Sequence, residues 1–123
     1  MLEDKVILIV DDEKELCKVL SWDFEDAGFK VFQAHSGEEA LDILRITKID
    51  VLLSDIKMPR VDGVSLIKAI QEERISVKAC FLMTGYADYS IAELEGLGMK
   101  KLIQKPIDSE DFIDMISKDV FKN

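Results

Sequence analysis

Five short apolar runs, each followed by a stretch of helical periodicity, set the fold class of this chain. The runs are KVILIV (5–10), KVFQAH (30–35), DVLLS (50–54), KACFLM (78–83) and KLIQ (101–104). Short, continuous apolar segments of this kind indicate strands covered on both faces. The intervening periodicity predicts helices over 13–27, 36–47, 63–74, 88–97 and 108–121. Strict alternation implies parallel strands with right-handed crossovers, so the expected class is α/β: a doubly wound five-stranded parallel sheet of (βα)5 form. The 123 residues fit a single domain, 1–123, which at this size buries about two-thirds of its unfolded surface.

Capping residues support the division. Ser36 with Glu39 forms a capping-box pattern, and Asp62, Asp88 and Asp108 suit N-caps. Gly28 and Gly98 suit helix C-termini. On the first helix, Leu16, Val19, Leu20, Phe24 and Ala27 are expected to form one apolar stripe, inside which Asp23 falls without an evident reason. Trp22 lies about 120° away from that stripe at ~100° per residue, where an aromatic side chain suggests a partner contact or a fold over a neighbouring helix. Cys17 and Cys80 fall in predicted core elements, outside any CxxC or Cys/His cluster, and read as buried thiols.

The net charge of −9 disfavours direct binding to nucleic acid or anionic lipid and favours cations or basic protein surfaces. No apolar run approaches the ~20 residues of a membrane span, and no signal-peptide pattern opens the chain. A cytoplasmic location is expected.

A doubly wound sheet binds its ligand outside the carboxyl ends of its strands. There the chain places Asp11 and Asp12 after the first strand, Asp55 after the third, Thr84 after the fourth, and Lys105 with Pro106 after the fifth. The second strand is followed by HSGEE, with nothing chemically comparable; His35 reads as a strand-end residue. Two adjacent carboxylates repel, by about 4 kcal/mol at ~4 Å and an effective dielectric constant near 20. A divalent cation relieves that repulsion, and an oxygen-rich, partly hydrated site is what Mg²⁺ prefers. With the cation present a phosphoryl group can enter. Asp55 is then a candidate nucleophile, Lys105 a cation for the phosphoryl oxygens, and Thr84 a hydrogen-bond donor to them.

The pieces VDDE, SDIKMPRVDG, MTG and QKP, in that order, resemble the receiver domain of two-component response regulators over essentially the whole chain. The resemblance implies the flavodoxin-like strand order 2-1-3-4-5 and phosphoryl acceptance on Asp55 with Mg²⁺ or Mn²⁺. Asp12 would ligate the metal directly and Asp11 through water, with Asp55 and the backbone carbonyl of Lys57 completing the protein's share. Thr84 matches the switch hydroxyl, Lys105 the phosphate-contacting lysine, and the Lys105–Pro106 peptide would be cis. The donor would be a bacterial sensor histidine kinase or a histidine phosphotransfer protein, docking near the first helix. Lys57 and Tyr86 would flank the path of an attacking water and tune phosphoryl lifetime. The predicted helix 88–97, the fifth strand and the last helix would form the face for a homodimer or an output module. Leu102 departs from the family pattern, which usually has an aromatic switch residue there.

Three other functions compete. A phosphatase of the haloacid dehalogenase class would want a D-x-D motif after the first strand, which VDDEKE does not supply. A flavin- or nucleotide-binding module would want a Gly- or hydroxyl-rich first loop, and this one is acidic. A phosphorylation-independent pseudo-receiver would not need the full set of acids, Thr84 and Lys105.

Overall fold

The computed structural model describes residues 2–85, 94 and 96–121. Its strands are β1 (Val6–Val10), β2 (Lys30–Ala34), β3 (Val51–Asp55), β4 (Ala79–Thr84) and β5 (Lys101–Gln104). Among the described residues the helices are α1 (Lys14–Asp26), α2 (Gly37–Ile46), α3 (Gly63–Glu72) and α4 (Ser109–Asp119). The expected helix over 88–97, its Asp88 cap and Tyr86 lie outside the described residues, apart from positions 94, 96 and 97.

All strand pairs are parallel, in the order β2-β1-β3-β4-β5. The central strands are almost wholly buried, whereas β2 and β5 at the edges are only partly so. Alternate side chains feed two cores. Leu8, Val10, Leu52 and Leu82 pack under α2 and α3, while Ile7, Ile9, Leu53, Phe81 and Met83 pack under α1 and α4. The second core contains a run of edge-to-face aromatics, Phe81–Phe112–Phe24–Phe29.

Helix starts follow the expected chemistry. Ser36, Asp62 and Asp108 accept hydrogen bonds from the amides of Glu39, Ser65 and Asp111. The first helix differs from expectation. Its buried residues are Cys17, Leu20, Ser21 and Phe24, so the stripe is rotated away from Val19, which is 49% exposed. The cause is that Ser21 can go inside: its hydroxyl donates to the Cys17 carbonyl at 2.8 Å and carries no unmet hydrogen bond into the core. Asp23 thereby points to solvent, which removes the anomaly. Trp22 is also on the outer face, 55% exposed, with the Lys18 ammonium 5.5 Å from its ring centre. Both cysteines are buried and free; burial pushes the Cys17 thiol up to about 12 and that of Cys80 to about 11, so neither is poised to react.

Candidate functional site

Register brings the strand ends together. Val10 pairs with Ser54 and Asp55 with Met83, so Asp11 and Asp55 emerge side by side at the carboxyl edge. Thr84 pairs with Gln104, and Lys105 follows one residue later, its amide donating to the Thr84 carbonyl at 2.8 Å. The strand order reverses between β1 and β3, the crevice position where doubly wound sheets bind ligands.

Asp11 is fully buried and uses both oxygens. Oδ1 accepts from the Glu13 amide at 2.9 Å, closing the turn that leads into α1, and Oδ2 accepts from Lys105 Nζ at 3.0 Å. The same ammonium donates to Asp55 Oδ2 at 3.0 Å and lies 4.0 Å from Glu13 Oε1. Asp12 is exposed, yet a ligand oxygen from each of Asp11, Asp12 and Asp55 can be found within 4.8 Å of the others. Over them opens a cavity of about 410 Å³ lined by Asp12, Glu13, Asp55, Lys57, Thr84, Gly85 and Lys105. Thr84 is buried at its wall and Lys57 exposed at its mouth. The Lys105–Pro106 peptide is cis.

The charges are unbalanced. Burial pushes the Asp55 carboxyl above the usual carboxylate range; Lys105 opposes this by hydrogen bond and charge, and Asp11 and Asp12 add to it. Burial also pulls the Lys105 ammonium down, but hydrogen bonds to Asp55 and Asp11 outweigh it and leave the group above its ordinary value. The asymmetry is geometric: Lys105 has two anionic partners, whereas Asp55 has one cationic partner and two like-charged neighbours.

The donor set suits a hard divalent cation. Three carboxylates within reach of one another, open to water on one side, match the ligands and partial hydration that Mg²⁺ requires. With both Asp11 oxygens already engaged, Asp12 and Asp55 are the carboxylates freest to meet a metal.

The structure thus gathers Asp12, Asp55, Lys57, Thr84 and Lys105 around one cavity, with Asp11 buried against Lys105. Leu102 is half-buried on β5, opposite Leu82, against the core under α2 and α3. Trp22 is on α1, away from the cavity lining. Two further lining residues, Glu13 and Gly85, stand in the VDDE and MTG pieces without an assigned role; their adjacency to the acid pair and to Thr84 is the available signal.

Known proteins resemble this arrangement closely. The family model for the response regulator receiver domain matches residues 7–117. Sporulation initiation phosphotransferase F of Bacillus subtilis is 35% identical over 121 residues, covering 96% of this chain and 94% of that protein. The transcriptional regulatory protein CpxR of Escherichia coli is 34% identical over 110 residues, covering 89% of this chain but 47% of CpxR. This chain therefore spans about half the length of that relative. A CheY-like receiver domain from Methanospirillum hungatei superimposes with a TM-score of 0.83 at 30% identity, covering 95% of this chain and 94% of that one. The chain belongs to the response regulator receiver domain family. It is a signalling domain of two-component systems with the flavodoxin-like fold. Among the described residues no helix is long and apolar enough to cross a membrane.

Proposed function

We propose that this receiver domain accepts a phosphoryl group on Asp55 from a phosphohistidine, carried by a sensor kinase or a phosphotransfer protein. The carrying observation is the Lys105 ammonium, 3.0 Å from both Asp11 and Asp55 at the edge of an acid-lined cavity. One Asp55 oxygen attacks phosphorus; the P–O bond forms as the P–N bond to the donor imidazole breaks, and that nitrogen leaves with the bonding pair. Lys105 turns toward the phosphoryl oxygens, and the Thr84 hydroxyl donates to one of them. Asp11 keeps Lys105 and the start of α1 in place. The residues that would hold Mg²⁺ or Mn²⁺ are Asp12, Asp55 and the Lys57 carbonyl, with Asp11 through water. When bound, the metal supplies positive charge that offsets the phosphoryl oxygens.

Asp55 then exchanges one negative charge for roughly two. The new acceptor oxygens draw Thr84 and Lys105 inward and shift the balance between two conformations. The face carrying β5 and α4 would pass the signal to a second copy or an output module, with Leu102 in place of the family's aromatic. Lys57 and Tyr86 would set the lifetime of the acyl phosphate. A protein of this kind works in the bacterial cytoplasm. The test is to treat the protein with phosphoramidate and Mg²⁺ and locate the hydroxylamine-labile phosphate by peptide mapping. Labelling at Asp55 is expected, and labelling elsewhere overturns the assignment.

A further inference from the structure

The turn after β2, whose sequence offers no group for phosphoryl chemistry, touches both acid-bearing loops. His35 Nδ1 lies 3.3 Å from the Asp11 carbonyl oxygen, so the tautomer protonated at that nitrogen donates to the loop that carries the acid pair. Two residues on, Gly37 is pressed against the loop after β3. A Cβ at Gly37 would lie 2.5 Å from Val61 Cγ1 and 2.6 Å from both its Cβ and its carbonyl oxygen. The last of these is backbone and cannot swing away. Beside it Arg60, held in the left-handed region at φ 66°, donates from Nε to Glu38 at 2.6 Å. That loop runs from Lys57, whose carbonyl is assigned to the metal, to Gly63, and is closed by the Gly63 amide donating to the Ile56 carbonyl at 2.8 Å.

We infer that residues 35–38 form a clamp, with Gly37 as its positioning residue, that fixes the distance between the Asp11–Asp12 pair and the Lys57 carbonyl. This rests on the metal-dependent reading of the site above. The physical logic is that Mg²⁺ tolerates little departure from octahedral geometry, so ligands on two separate loops need a rigid brace. Groups that orient metal ligands without touching the metal typically change affinity by about 10–100-fold when altered. Gly37 is built for this role because its missing side chain lets two backbones meet, which no other residue at that position permits without moving the loop.

The test is a Mg²⁺ titration of the full chain, followed by amide NMR shifts at Asp12, Asp55 and Lys57, with melting measured separately in EDTA. Gly37→Ala is expected to weaken Mg²⁺ binding about tenfold while remaining folded, and Ile46→Ala, at the other end of α2, to leave it unchanged. Glu38→Ala removes the ion pair to Arg60 and is expected to weaken binding about twofold. A Gly37→Ala protein that melts earlier yet binds Mg²⁺ with wild-type affinity overturns the clamp, because its role would then be structural alone. Should Gly37→Ala fail to fold, unchanged affinity in Glu38→Ala overturns it instead. If the wild type itself shows no Mg²⁺ response, the metal reading fails first, and the two failures are distinguishable.

Discussion

At the amino edge of the sheet, the Phe121 ring has the Lys5 and Lys78 ammonium groups 5.3 and 5.6 Å from its centre, and packs on Phe29. Asp50 there accepts from the Val6 amide at 2.9 Å. At the carboxyl edge, Lys105 faces Asp11, Asp55 and Glu13, with Asp12 beside them. One edge pairs its charges with rings and backbone and closes over the core. The other collects acids in excess of cations. The difference teaches where stability and function are kept apart: the amino edge holds the fold, and the carboxyl edge retains repulsion that a cation can relieve.

Substitutions can break that contrast. The largest effect is expected from Asp55→Asn. It should abolish phosphoryl uptake and yet raise the metal-free melting temperature by a few degrees, since a buried, crowded charge is removed; a lower melting temperature in EDTA would contradict the contrast. Phe121→Ala is the mirror experiment. It should cost about 2 kcal/mol of stability in a denaturant titration while leaving the phosphorylation rate of the folded protein unchanged.

The pH dependence sharpens the same point. Because the folded Asp55 carboxyl is above its ordinary value, the folded state holds its proton more tightly than the unfolded chain. Its ionised form therefore costs stability above the folded pKa, and that cost shrinks as pH falls through it and is gone below the unfolded pKa. The stability gained by Asp55→Asn should accordingly be full at neutral pH and shrink on acidification. A gain that is constant with pH would mean that charge is not its source.

Trp22→Ala should have the smallest effect on stability, under about 0.5 kcal/mol, since the ring is on the outer face of α1 with Val19. Its expected consequence is selective: slower transfer from a phosphohistidine donor, with phosphorylation by a small acyl phosphate intact. Equal loss with both donors would place Trp22 in support of the site rather than in a partner contact.

The carboxyl edge was legible in the sequence because strand ends are marked twice, by the close of an apolar run and by the polar or charged residue at its end. Asp11, Asp55, Thr84 and Lys105 each stand at such a boundary, and parallel topology forces them to one edge. The face of α1 was not legible in the same way. Cys17 reads as a buried thiol, but Ser21 carries no apolar signal, and its hydroxyl bonded to its own helix explains why it, rather than Val19, goes inside. The turn at 35–38 was hidden for a different reason: its contributions are a contact to a carbonyl and an absent side chain, neither of which leaves a chemical mark. The Lys105–Asp11 bond spans 94 positions in the chain, and only tertiary packing brings its partners together.

The central claim is that the acids of the carboxyl edge gather a divalent cation and so make Asp55 able to receive a phosphoryl group. Intact-mass spectrometry after exposure to acetyl phosphate tests it most directly, run in parallel with Mg²⁺ and with EDTA. A single added phosphoryl group is expected in the wild type with Mg²⁺, and none with EDTA or in Asp55→Asn. Equal modification with and without the metal, or undiminished modification of Asp55→Asn, would contradict it.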